Sequence, residues 1–186
     1  MLKTKMTRMF GIKHPIMLAG MNWITEPRLV SAVSNAGGLG LLAIARCNPK
    51  ETRENIRQIR DMTDQPFGVN QILVGPGAKE NIAVAIEEKV PIINYSLGKP
   101  WFVKDVHAYG GKVVGTIAIA RHAARAVELG CDALVITGHE AAAHGAAATS
   151  MVLIPIVASM VDVPLIAAGG FYDGRGLAAA LALGAD

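Results

Sequence analysis

The densest polar stretch of the chain is Thr137-Gly-His-Glu-Ala-Ala-Ala-His144-Gly145, and its two histidines invite a test for metal binding. The test fails on spacing. The zinc motif HExxH sets its histidines four apart, so that both fall on one helix face. His139 and His144 are five apart, about 140° around a helix, with no third ligand nearby. What remains is acid–base chemistry. Ala141 to Ala143 and Gly145 to Ala148 flank His144 with small side chains, which let a flat ligand approach the backbone closely. A histidine beside such a gap can exchange a proton near neutral pH, which makes His144 the candidate catalytic residue. The plainer reading is a polar loop residue at a helix entry. His139 is open between function and a simple bond to Glu140. His14, His107 and His122 read as ordinary surface histidines.

Three further stretches carry unusual residues. The apolar run Ile166-Ala-Ala168 ends in Gly169-Gly170, and a helix-like segment follows. Backbone amides in such a turn can cradle a phosphate, a use that barrels often make of their late loops. Ala19-Gly20-Met21-Asn22-Trp23 reads either as a turn carrying a packed Trp or as a close backbone wall for a planar ring. Gly68-Val-Asn70-Gln71 places amides in an apolar strand, where Asn is disfavoured and a buried amide needs partners. By contrast, Asn35-Ala-Gly-Gly-Leu-Gly40 only looks like a nucleotide loop. It precedes a strand instead of opening a helix, so it reads as a helix end and tight turn.

These residues sit in a regular frame. Short apolar runs at 15–19, 39–44, 67–73, 91–95, 112–118, 133–137 and 164–168 read as seven strands. Helix-like segments alternate with them at 26–35, 49–62, 78–89, 101–109, 120–129, 150–160 and 175–183. In the second of these, Ile56 and Ile59 face inward and Arg53, Arg57 and Arg60 outward. Strands this short and continuously apolar belong to a parallel sheet covered on both faces. Seven strand–helix units in series predict a TIM (β/α)₈ barrel in a single domain over residues 1–186, with the eighth unit expected beyond Asp186. The loops that carry the unusual residues then share one face, where barrels build active sites.

Composition narrows the class. Of 186 residues, 52% are hydrophobic and 18% charged, enough apolar content to exclude disorder for the bulk of the chain. The net charge of +3 is small and scattered, and aromatics are 5%, which argues against nucleic acid and anionic membranes as partners. Cys47 and Cys131 form no disulfide framework, and no signal peptide or spanning segment is visible, so a reduced, cytoplasmic setting is expected.

Taken together, the motifs resemble the nitronate monooxygenase family, which also includes flavin-dependent enoyl-acyl-carrier-protein reductases of the second type. The matching stretches are Pro15–Met21, Ser34–Gly40, Gly68–Asn70, Gly138–Gly145, Ile166–Gly176 and Ala180–Asp186, in family order. The resemblance implies a TIM barrel binding FMN, with His144 catalytic. It implies FMN contacts at Gly20 and Met21 near the ring, at Asn70, Thr137 and Ala142, and at Gly169 and Gly170 on the phosphate side. The chain departs from the family at Ala142-Ala143, where two glycines are usual, and at Thr137, where a longer amide is common. The implied activity is oxidation of alkyl nitronates by oxygen. The alternatives are an NAD(P)H-dependent FMN reductase acting on enoyl thioesters or quinones, and an inactive fragment of such an enzyme. Substrate, electron donor and oligomeric state stay open.

Overall fold

A computed structural model describes residues 2–186 of the protein. The chain forms two compact units, one through Val113 and one from Val114 to Asp186. The first unit opens with α1 (Lys5–Phe10), then α2 (Pro27–Asn35), β1 (Gly40–Ala43), α3 (Pro49–Met62), β2 (Phe67–Ile72), α4 (Ala78–Glu87), β3 (Ile92–Ser96) and α5 (Val103–Ala108). The second is built from β4 (Lys112–Ile117), whose first residues precede the boundary, α6 (Arg121–Glu128), β5 (Ala133–Thr137), α7 (Ser150–Ala158), β6 (Leu165–Ala168) and α8 (Gly174–Ala182). Among the described residues, no helix is long and apolar enough to cross a membrane.

Within each unit the strands pair in parallel and in chain order. Leu41 lies opposite Gly68 and Asn70 opposite Asn94 in the first. Val135 lies opposite Ile166 and Thr137 opposite Ala168 in the second. All residues of β1 and β5 are buried, as expected for parallel strands with both faces covered. The first core gathers Leu41, Val69, Ile93, Ile56, Ile82 and Phe102; the second gathers Val114, Leu134, Ile136, Leu153, Ile154 and Val157.

Two expectations need correction. The first predicted strand, at 15–19, is a single parallel bridge between Met17 and Leu39, so among the described residues six strands form and not seven. Only Ile16 O and Leu18 N reach Leu39; the Ile16 N–H, which would carry the ladder on to Gly37 O, donates instead to His14 O at 2.8 Å, and Gly37 O accepts from Lys13 N and His14 N. The N-terminal residues, in turn, contain a helix that periodicity did not reveal. α1 is a six-residue turn of chain fixed by reciprocal Thr4–Thr7 capping bonds, with Gly11 in the left-handed region at its end.

The helices of the first unit are tied to one another by polar side chains. α3 starts with a capping box, in which Glu51 N donates to Asn48 Oδ1 at 2.9 Å and Asn48 N donates to Glu51 Oε2 at 2.8 Å. Thr52 Oγ1 donates to Asn81 Oδ1 of α4 at 3.1 Å, and Asn81 Nδ2 donates to the carbonyls of Ile44 and Cys47 at 2.8 and 2.9 Å. Arg53, Arg57 and Arg60 do not simply point to solvent. They converge on Glu88, with N···O distances of 2.6, 2.9 and 3.0 Å, and Arg53 also pairs with Glu87. The Glu88 side chain is only 8% exposed, so the three guanidinium groups replace the water it has lost.

Burial alone would push the Glu88 carboxyl up, but bonds from Arg57 and Arg53 outweigh it and hold the group below its ordinary value. Glu88→Ala should lower stability by about 1–2 kcal/mol, less than for a fully dry pair because water reaches the arginine ends. Because Glu88 titrates lower in the folded protein than in the unfolded one, the wild-type advantage is complete above the unfolded carboxylate pKa. It is lost as pH falls through the depressed folded value. Urea melts of both proteins at neutral pH and in acid measure this, and an equal midpoint at neutral pH would refute it.

Candidate functional site

The polar groups singled out by sequence fall at the C-terminal ends of strands, and each unit holds its own set. In the first unit, the turn after the Met17 bridge carries Gly20 and Met21. Thr25, 3% exposed, fixes that turn. Its hydroxyl donates to Met21 O at 3.0 Å and accepts from Met21 N at 3.0 Å and from Ala43 N at 3.2 Å. Gly20 lies directly against β2: a side-chain carbon there would stand 2.4 Å from Asn70 Cβ and 2.8 Å from its Oδ1. Asn70 is half-buried, and its Nδ2 donates to Asn94 Oδ1 at 2.6 Å. Asn94 is thus the partner that a buried strand amide requires, and the register of β2 with β3 supplies it. Trp23 is 77% exposed, with φ of 64° and the Arg46 guanidinium 5.4 Å above its ring. Strain of that kind in a bulky residue marks a turn whose shape is imposed by its surroundings.

In the second unit, β5 ends at the buried Thr137, and Gly138 N donates to Ala168 O at 2.9 Å, joining the ends of β5 and β6. The following loop carries Ala142, Ala143 and His144, all exposed. No partner meets the His144 ring among the described residues, which leaves it available to a substrate. His139 is not held by Glu140. Its backbone N–H donates to Ala148 O at 2.9 Å, and its Nδ1 lies 3.0 Å from Ala146 O, so it staples the two ends of the loop. Glu140 instead accepts from Ser150 N at 2.9 Å, while the Ser150 hydroxyl reaches Gly169 O at 2.7 Å. Gly169 and Gly170 both have positive φ, 106° and 80°, and a side chain at Gly169 would strike Ala141 N at 2.8 Å.

The sequence placed the phosphate cradle on this turn together with the helix behind it. The first free amides of α8 are already taken, because Asp173 Oδ1 accepts from Arg175 N at 2.9 Å and from Gly176 N at 3.3 Å. An anion is left with the turn itself. Among the described residues, no protein acceptor meets the N–H groups of Gly169 and Gly170. Two successive glycine amides of this kind suit a phosphate oxygen. In the first unit, Asn70 Oδ1 receives no protein donor, and beside the bare backbone of Gly20 it suits a planar ring bearing an N–H. The donors and acceptors in each unit therefore fit the parts of FMN assigned to them. Sequence reading missed Thr25, Asn94 and Ser150. Asn94 was open to the argument used for Asn70, an amide in an apolar strand; Thr25 and Ser150 are small residues whose partners are distant in the chain.

Comparison with known proteins gives a consistent picture. The chain matches the profile of the family described as Nitronate monooxygenase over residues 3–81 and 72–186. It is 40% identical over 185 residues to a Rhodococcus jostii protein named (3aS,4S,5R,7aS)-5-hydroxy-7a-methyl-1-oxo-octahydro-1H-indene-4-carboxyl-CoA dehydrogenase, covering 99% of this chain and 52% of that protein. It is 31% identical over 231 residues to a nitronate monooxygenase of Pseudomonas aeruginosa, covering 98% of this chain and 66% of that protein. The solved structure of FabK from Thermotoga maritima matches with a TM-score of 0.97 and 41% identity, covering 100% of this chain and 60% of that one. The chain spans about half the length of the curated relatives near 40% identity.

Gly20→Ala should displace the Asn70 side chain and break its bond to Asn94, at a cost of about 1–3 kcal/mol for the overpacking. Gly174→Ala, where an added carbon meets nothing within 4 Å, is the control and should be close to neutral. Thermal melts of the two variants test the contrast, and equal midpoints would count against the tight Gly20–Asn70 contact.

Proposed function

Because the chain belongs to the nitronate monooxygenase family, we propose that the protein is an FMN-dependent oxidoreductase in which His144 moves a proton at a carbon acidified by a nitro group or a thioester carbonyl. The observation that carries this reading is the pair of glycine amides at Gly169 and Gly170, which face no protein acceptor, in the same unit as an unpartnered His144. FMN, when bound, supplies the electron transfer and its exchange with oxygen or NAD(P)H. The residues of this chain do the rest. Gly169 and Gly170 hold the phosphate. Gly20, Met21 and Asn70 receive the ring, with Thr137 and Ala142 as the remaining contacts that the family pattern assigns. Taking a proton from the substrate carbon leaves an anion delocalised onto the nitro or carbonyl oxygen. In the reductive direction, His144 returns a proton to the same carbon. The parent architecture on this reading is a (β/α)₈ barrel.

Nitronate oxidation by oxygen is the activity first expected, and the relative from Pseudomonas aeruginosa supports it. A second reading, redox chemistry of an acyl thioester, has a specific observation in its favour. The relative named as a CoA dehydrogenase and FabK share 40–41% identity with this chain, against 31% for that nitronate monooxygenase. Ala142-Ala143 also adds two methyl groups beside His144 where the family pattern has glycines, which changes the shape offered to a small nitronate.

Purified protein should be yellow and release FMN on denaturation; a colourless protein that takes up no added FMN would exclude the cofactor. Anaerobic bleaching separates the substrates. Reduction by a nitronate alone supports the first reading, and reduction by NADPH followed by reoxidation with an enoyl thioester supports the second. His144→Ala should keep FMN and lose about 10²- to 10⁴-fold in turnover on substrates that must exchange a proton at carbon. Unchanged kinetics on neutral nitroalkanes and thioesters would remove His144 from the mechanism.

A further inference from the structure

α7 begins at Ser150, and the residue before it, Thr149, makes no side-chain capping bond. The first amide of the helix is met instead by a carboxylate ten residues upstream. Ser150 N–H donates to Glu140 Oε2 at 2.9 Å, with Oε1 at 3.2 Å. The Ser150 side chain is almost wholly buried, and its hydroxyl stands 2.7 Å from Gly169 O and 3.1 Å from Glu140 Oε2. A hydroxyl has one proton, so it is shared between the carbonyl of the glycine turn and the carboxylate. The packing around this group leaves little slack. A side-chain carbon at Gly138 would lie 2.1 Å from Ser150 Oγ and 2.6 Å from Glu140 Oε2. At Gly170, by contrast, an added carbon would fit in ordinary van der Waals contact, 3.4 Å from Glu140 Cβ. Glu140 therefore bonds the start of α7 and, through the Ser150 hydroxyl, is linked to Gly169 O, and its own residue lies on the loop that carries His144.

We infer that Glu140 is a positioning residue: it caps α7 from a distance and, through Ser150, sets the glycine turn in the shape that receives a phosphate. This rests on the FMN reading above. The placement is unusual because a carboxylate beside an anion site would ordinarily repel the anion. Here the charge is taken up locally. The Glu140 backbone N–H and the Ser150 N–H, with the Ser150 hydroxyl, hold its carboxyl below the ordinary carboxylate range. Positioning and repulsion then predict opposite signs for the same substitution.

The test compares FMN with riboflavin, which has the ring and no phosphate. Glu140→Gln keeps an acceptor for Ser150 N–H but removes the charge and one acceptor for the hydroxyl. Flavin fluorescence titrations should show wild-type protein binding FMN, and E140Q binding it about tenfold more weakly with riboflavin affinity unchanged. Unchanged or tighter FMN binding would overturn the proposal, the latter by identifying Glu140 as a source of repulsion. An equal loss for both flavins would also overturn it, since that reports general loosening. Ser150→Ala carries the same test should E140Q fail to fold: it keeps the charge, removes the hydroxyl that holds Gly169 O, and should weaken FMN selectively. Unchanged FMN affinity in S150A is equally fatal. Wild-type protein that takes up neither flavin sinks the FMN reading itself, a result distinct from wild-type binding with silent variants.

Discussion

Strands covered on both faces leave almost no place for a polar group, and this constraint governs where chemistry sits in both units. In β1 and β5 every residue is buried. An unsatisfied amide or hydroxyl there would cost on the order of 1–3 kcal/mol. The polar residues that do occur in strands meet the constraint in different ways. Asn70 pairs with Asn94 across the β2–β3 register. Thr137 falls at the last position of β5, next to the loop. Gln71 meets it only in part: its Nε2 donates to Ile72 O at 2.8 Å, while its Oε1 is buried with no protein partner. The candidate site residues Gly20, Met21, His144, Gly169 and Gly170 accordingly lie in loops, after the Met17 bridge, β5 and β6.

Loops of this sort need to be held, and small buried polar residues hold them. Thr25 binds both the N–H and the carbonyl of Met21 and reaches the end of β1. Asn81 holds the carbonyls of Ile44 and Cys47 from within α4. Ser150 joins the His144 loop to the glycine turn. Each anchor spends a side chain with few rotatable bonds, so little conformational entropy is lost in fixing it. Thr25 and Asn81 bond the backbone of their loops, so those shapes are set independently of the side chains displayed there, whereas Ser150 reaches the His144 loop through the Glu140 carboxylate.

The frame of the fold was legible because its signals are local and repeated. α3 and β5 have the bounds that the sequence pattern predicts, since Pro49 marks a helix start and the apolar run Ala133 to Ile136, closed by Thr137, is bounded by polar or loop residues on both sides. The failures lie where the signal is short or depends on a partner. α1 is too short for a helical period. The run at 15–19 has strand-like composition, yet whether it becomes a strand depends on how far it pairs with Leu39 and its neighbours, which composition does not encode. At the site, glycines and His144 drew attention because their types are unusual. The partners of Glu140 did not, because a glutamate next to a histidine suggests a local pair and its bond runs to Ser150, ten residues away. The arginines of α3 do lie on its outer face, but their partner was hidden for the same reason: Glu88 is about thirty residues away in the chain and only folding brings it near.

Both tryptophans of the chain, Trp23 and Trp101, lie in the first unit, at 77% and 47% exposure. Intrinsic fluorescence excited in the indole band therefore originates in that unit. Its emission starts from partly hydrated rings, so unfolding brings a modest red shift. The stretch that bears His144, Ser150 and the glycine pair is optically silent by this probe.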